Sequence, residues 1–114
     1  RYVVKLRSPE TLHIHAILKA FPHVPWVMLC RNPVEVMISA LEHPTGWLAY
    51  KQRRNARMSD EHYSAAMLAH FFRRATSAVE AAGARGLVLD HTDLTLKGML
   101  RVATHFGLLP DPDE

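Results

Sequence analysis

The stretch VPWVMLCRNPVEVMISAL, residues 24–41, decides the fold class of this chain. Its first half is a short continuous apolar run, which is typical of a buried strand. Asn32 follows as a candidate helix N-cap, Pro33 falls at the first helical position, and Glu35 stands where a capping-box acid belongs. The pattern therefore predicts a strand that passes directly into a helix, with Arg31 at the junction.

This junction is suited to binding an anion. A helix N-terminus offers backbone N–H groups and the positive end of the helix dipole. The guanidinium of Arg31 can bind a phosphate or a sulfate through two parallel hydrogen bonds. Ser39, two turns further along the predicted helix, adds a hydroxyl. We predict an anion site at Arg31 and Ser39; the alternative is a strand-end arginine and a surface hydroxyl that bind no ligand.

The same residues resemble the sulfotransferase family, whose members transfer a sulfuryl group from 3′-phosphoadenylyl sulfate (PAPS). In that family a strand ends in Arg-(Asp/Asn)-Pro and a helix with Val and then Ser follows. Arg31, Asn32-Pro33, Val36 and Ser39 match this pattern, and Phe21-Pro22 precedes the strand as it does there. The resemblance implies that Arg31 and Ser39 hold the 3′-phosphate of the nucleotide.

A second block, VLDHTDLTLKGMLRVATHFGLLP at residues 88–110, is similar to the strand-turn-helix that ends the family's fold. The family pattern there is Tyr-Glu-Asp-Leu, and this chain departs from it at His91 and Thr92. The resemblance implies one sulfotransferase-like domain over residues 1–114, as part of a longer chain. It also implies PAPS as co-substrate, a small-molecule acceptor and no metal.

Alternation of short apolar runs with capped amphipathic runs predicts an α/β fold. We expect strands at residues 2–7, 25–30 and 87–90 and four helices around them. This would be a three-layer α/β/α arrangement with a short parallel sheet, a partial P-loop nucleotide-binding fold of the sulfotransferase type. Ligands of open α/β sheets lie beyond the carboxyl ends of the strands. That edge would carry Arg7, Arg31 and Asp90–Asp93.

Two parts of the family's catalytic site lack a counterpart in this sequence. None of the five glycines lies in a Gly-rich phosphate-binding loop. The position of the family's catalytic histidine falls on Arg7, Glu10 or Thr11, depending on the register. Glu10 is a candidate base if it is partly desolvated, but an acid at a helix start more often complements the dipole. Lys5 and Arg7 are candidates for binding the donor's anionic groups.

The composition excludes several classes to which this protein could belong. No apolar run approaches the roughly 20 residues that span a bilayer, so we expect no membrane partner. The single cysteine, Cys30, excludes an intrachain disulfide and favours a reducing, cytoplasmic location. The eight histidines show no spacing that suggests a third metal ligand, so no metal site is predicted.

Two other functions compete with the sulfotransferase prediction. The absent phosphate loop and the missing histidine favour a non-catalytic interaction domain that keeps the fold, and we expect this chain alone to be inactive. The other competing function is that of a basic nucleic-acid-binding module. Its binding surface would consist of Arg53, Arg54, Arg57, Arg73 and Arg74. No nucleic-acid motif supports that reading, so no nucleic-acid partner is expected.

Overall fold

The computed structural model of the protein describes residues 2–44, 46–49, 51 and 56–109. Over these residues it is an α/β structure with four α-helices and a small parallel sheet of two strands. The elements in chain order are α1 (Ile14–Ala20), β1 (Trp26–Cys30), α2 (Pro33–Glu42), α3 (Asp60–Ala82), β2 (Gly86–Asp90) and α4 (Leu96–His105). Short 3₁₀ turns cover Ser8–His13, Gly83–Arg85 and His91–Asp93.

The two strands pair in parallel, as the sequence predicts. Trp26 is in register with Gly86, and the pairing continues to Cys30 and Asp90. Parallel strands need a long crossover, which α2 and α3 supply here. Gly86 is required by close packing, because a Cβ there would lie 2.8 Å from the Cζ2 atom of the Trp26 ring.

The predicted strand at residues 2–7 is wrong. This segment forms no regular secondary structure; Tyr2 is fully exposed, and Val3 and Val4 are 73% and 76% exposed. A β-prone run becomes a strand only when a neighbouring strand pairs with it and a core covers one face. Neither condition is met at Tyr2–Leu6 in the described structure, so the sheet there has two strands instead of three.

Local capping signals in the sequence are confirmed at two helices, α2 and α3. The Asn32 side chain accepts a hydrogen bond from the Val34 N–H at 2.9 Å, and Ser59 accepts one from the His62 N–H at 3.2 Å. Gly83 follows α3 with φ +56°, a conformation that glycine adopts without strain. Before the first helix, Arg7 is the N-cap residue of a 3₁₀ turn that begins at Ser8, although Ser8-Pro9 is the pattern of a helix cap followed by a first helical residue, and α1 begins only at Ile14.

The core is built on one face of α3. Its buried residues include Leu68, Phe71, Ala75 and Ala78, which recur at helical spacing. Leu89 of β2 is the most deeply buried large side chain. This arrangement confirms the apolar face predicted for the long helix.

A histidine joins α4 to both strands. His105 Nε2 lies 3.1 Å from the Trp26 carbonyl oxygen and 3.0 Å from that of Arg85. Both neighbours only accept, so Nε2 carries the proton and donates to them. No sequence pattern predicts this contact, because the partners of His105 are backbone atoms far away along the chain.

Candidate functional site

An open groove of about 1210 Å³ brings the two predicted anion-binding residues together. Arg31, at the end of β1, and Ser39, on α2, both line it. Val36 and Ala40 lie on the same face of α2 and form an apolar strip beside Ser39. We call this space the arginine groove, because Arg7, Arg31 and Arg74 all line it.

The guanidinium of Arg31 is held by Glu35. Its Nε donates to Oε2 of Glu35 at 3.0 Å, and both side chains are about half exposed. Glu35 was predicted to complete a capping box, but its carboxylate pairs with Arg31 instead. Within the described structure the Nη groups of Arg31 form no hydrogen bond, so they are the donors available to an anion.

Arg7 enters the arginine groove with a carboxylate partner of its own. Its Nη2 donates to Oε1 of Glu10 at 2.7 Å, and its backbone N–H donates to Oε2 at 2.7 Å. These bonds, led by that of the Arg7 side chain, hold the pKa of Glu10 below its ordinary value. A lowered pKa makes Glu10 a weaker base, so the geometry favours a capping role for this residue.

Lys5 is a candidate residue that the structure places away from the arginine groove. It is exposed in the irregular segment before the 3₁₀ turn and does not line the arginine groove. Its placement beside Arg7 was predicted from a shared strand face, and that strand is not formed. Side chains two residues apart in the sequence point to the same face only where the backbone forms an extended strand.

The opposite wall of the arginine groove comes from α3. Tyr63, Met67, His70 and Arg74 all line it, and their spacing of four, three and four residues places them on one helix face. Trp47 lines the groove too, with its ring centroid 6.4 Å from that of Tyr63. Sequence reasoning missed this wall, although the helical spacing was a usable signal.

The charges lining the arginine groove have one sign. Arg7, Arg31 and Arg74 supply these charges, and no aspartate or glutamate is among the described lining residues. Such a surface favours anionic ligands through both charge and hydrogen-bond donors. The carboxylates of Glu10 and Glu35 offset part of this charge from just outside the groove.

A smaller pocket of about 460 Å³ lies at the carboxyl ends of the two strands. Arg31 and Glu35 line it from one side, and Asp90, His91 and Thr92 from the other. Asp90 accepts hydrogen bonds from the Thr92 N–H at 2.8 Å and from its hydroxyl at 2.6 Å. These bonds lower the pKa of Asp90, so it is a firmly ionised neighbour of the site.

The remaining chemical groups form no site of their own. Burial, with a smaller contribution from Asp90, raises the pKa of the Cys30 thiol, which disfavours the reactive thiolate. Over the residues that the structure describes, no group of three or more His, Cys, Asp or Glu side chains is arranged to hold a metal ion. In the same part of the chain, no helix has the length and apolar character needed to cross a bilayer.

Comparisons with protein-family models, with curated proteins and with solved structures found no match to this chain. The sulfotransferase resemblance of the two sequence blocks therefore stays a prediction. The residues that line the arginine groove and the pocket beside it are the features of this chain that indicate a function.

Proposed function

We propose that the protein is a sulfotransferase-like domain that binds PAPS and, in the intact protein, passes its sulfuryl group to a small-molecule acceptor. Arg31 and Ser39 would hold the 3′-phosphate of the nucleotide. The observation that carries the proposal is that these two side chains line one groove whose described walls contain no carboxylate.

The geometry of Arg31 suits a bound phosphate. Glu35 engages its Nε, which restricts the rotation of the guanidinium and leaves both Nη groups as donors. Two donors in one plane match two phosphate oxygens, and hydrogen bonds between charged groups are the strongest available. The Ser39 hydroxyl lies on the same wall and adds a further donor.

The finer fold assignment is part of the same proposal. A three-layer α/β/α arrangement of the P-loop type is supported by the parallel pairing of β1 and β2. It is also supported by the smaller pocket, which lies at the carboxyl ends of the strands where such folds bind ligands. We place this domain within residues 1–114 of a cytoplasmic protein.

Sulfuryl transfer also needs a base for the acceptor's proton and a cradle for the donor's 5′-phosphosulfate. Glu10 is engaged by Arg7, and the sequence contains no Gly-rich phosphate loop. We therefore assign binding of the nucleotide's 3′ end to this chain and no catalytic base. The chain alone is expected to give no turnover with labelled PAPS and a panel of phenols, alcohols and amines.

One observation favours the alternative, a non-catalytic interaction domain. Leu29 of β1 is 52% exposed, and Val88 of β2 is similarly exposed, although both lie in the sheet. Apolar side chains left bare on a sheet are typical of a surface that contacts another protein segment. An interaction domain of this kind would bind no adenosine bisphosphate with measurable affinity, which separates the two functions.

The deciding experiment is calorimetric titration of adenosine 3′,5′-bisphosphate into the full-length protein. The Arg31→Ala variant should lose about 1.5–3 kcal/mol of binding free energy, since it loses charged hydrogen bonds. Arg31→Lys should recover part of the loss, because an ammonium cannot form the bidentate contact. Arg101→Ala, an exposed arginine on α4 outside the groove, is the matched control and should bind as the wild type does. Equal affinity in wild type and Arg31→Ala would refute the proposal.

A further inference from the structure

The wall of the arginine groove contributed by α3 presents a second set of anion-binding groups. His70 and Arg74 are four residues apart, so they lie on the same face of the helix, and both line the groove. Arg73, the preceding residue, is exposed and does not line it. The helix therefore directs one arginine of this adjacent pair into the groove and the other away from it.

Arg74 differs from the other two groove arginines in its pairing. Arg7 is bonded to Glu10 and Arg31 to Glu35, so each already has a carboxylate. Within the described residues the side chain of Arg74 forms no hydrogen bond and no ion pair, and the same is true of the His70 side chain. A guanidinium that lines a groove without a partner retains all five donors for a ligand.

The size and chemistry of the groove leave room for two ligands. The groove is open and has a volume of about 1210 Å³, and Arg31 and Arg74 lie on different elements of its wall, α3 in the case of Arg74 and the end of β1 in the case of Arg31. Tyr63, Met67 and Trp47 share the wall with Arg74 and supply apolar and aromatic surface. Aromatic rings and a thioether beside a guanidinium suit a ligand that combines a ring with an anionic group.

We propose that His70 and Arg74 form a second anion-binding position in the arginine groove, which takes the anionic group of an aromatic acceptor. The ligand class is an aryl carboxylate or an aryl sulfate or phosphate, with its ring against Trp47 and Met67. That this ligand is the acceptor rests on the proposed function; that the position binds aromatic anions does not.

The test is an NMR titration of the uniformly ¹⁵N-labelled full-length protein with two matched probes, 4-hydroxybenzoate and its neutral analogue p-cresol. Wild type should bind 4-hydroxybenzoate about tenfold more tightly than p-cresol, since only the carboxylate gains a charged hydrogen bond. Arg74→Ala should abolish this preference, and Arg74→Lys should keep part of it. Arg73→Ala, which changes the adjacent outward-facing arginine, should keep it fully.

Two results would overturn the proposal. One is an equal preference for 4-hydroxybenzoate in wild type and Arg74→Ala; the other is a loss of the same size in Arg73→Ala. His70→Gln is the second variant, expected to reduce the preference severalfold, and an unchanged spectrum away from the groove establishes that each variant is folded.

A parallel titration with adenosine 3′,5′-bisphosphate separates the two proposals. Arg74→Ala should weaken nucleotide binding much less than Arg31→Ala does, because it removes a groove charge without removing a phosphate contact; a loss as large as that of Arg31→Ala would assign Arg74 to the nucleotide site and refute a separate position. Arg31→Ala should show the reverse pattern, with weakened nucleotide binding and an intact preference for 4-hydroxybenzoate. If Arg31→Ala binds the nucleotide normally while Arg74→Ala loses the preference, the nucleotide proposal fails and the aromatic-anion position stands.

Discussion

The Nε of Arg31 donates a 3.0 Å hydrogen bond to Oε2 of Glu35, which joins the residue that follows β1 to the first turn of α2. The acid that sequence rules assign to helix capping is thus used to orient the arginine. The pair is about half exposed, so its own contribution to stability is small. The pair matters for ligand binding, because the bond to Glu35 leaves the Nη groups of Arg31 as the donors that face a ligand. It also places the negative charge of Glu35 beside them.

Replacing Glu35 with Gln should strengthen binding of adenosine 3′,5′-bisphosphate. The amide oxygen still accepts the bond from Arg31, while the negative charge that repels phosphate is removed. The expected gain is about 0.2–1 kcal/mol, the range for exposed charge pairs, and it should shrink as salt is added. Calorimetry at low and high ionic strength measures it. Glu80→Gln, on α3 away from the groove, is the control; weaker binding in Glu35→Gln would contradict the assigned role of the pair.

Replacing Gly98 with Ala should destabilise the protein, although the same change normally stabilises a helix by roughly 1 kcal/mol. Gly98 is buried in the first turn of α4, and an added Cβ would overlap the carbonyl oxygen of Asp93. The backbone must shift to relieve this overlap, at an expected cost of about 1–3 kcal/mol. Urea unfolding measures the change. Lys97→Ala, on the exposed side of the same turn, should stay within about 0.5 kcal/mol of wild type.

Replacing His105 with Ala should lower the free energy of unfolding by about 1–3 kcal/mol, because two backbone carbonyls lose their donor. These carbonyls belong to Trp26 and Arg85, at the beginnings of the two strands, so the loss should loosen α4 from the sheet. Thermal unfolding and amide hydrogen exchange of β1 and β2 report both effects. His91→Ala, an exposed histidine, is the control; equal stability of the two variants would show that the His105 contact adds nothing.

Stability should fall in acid through Glu10 and Asp90. Hydrogen bonds from Arg7 and from Thr92 hold the two pKa values below their ordinary 4.5 and 3.8 in the folded chain. The unfolded chain then binds protons more readily, so this contribution to stability is full above those ordinary values and is lost as the pH falls through the lowered ones. In Glu10→Gln and Asp90→Asn, the melting temperature should drop less between about pH 6 and about pH 3 than in wild type. A drop as large as in wild type would contradict the prediction.

The features that the sequence predicted correctly depend on residues close together in the chain. The strand that ends at Cys30 and the caps at Asn32 and Ser59 follow from local rules of burial and hydrogen bonding. The parallel pairing of β1 with β2 was also predictable from the sequence, because two strands joined by a helical crossover can be arranged in few ways. Arg31 and Ser39 are only two helical turns apart, so their meeting in one groove was a short extrapolation.

The remaining features of the fold and of the groove were decided by tertiary structure alone. The run at Tyr2–Leu6 has strand propensity, but a strand exists only where another strand pairs with it, and that is not a local property. The partner of Glu35 was fixed by side-chain geometry that helix-capping rules do not contain. Arg74 and Arg31 are brought to one groove by the packing of α2 against α3, because contacts between distant segments are set by how buried faces fit together and not by either segment's own sequence.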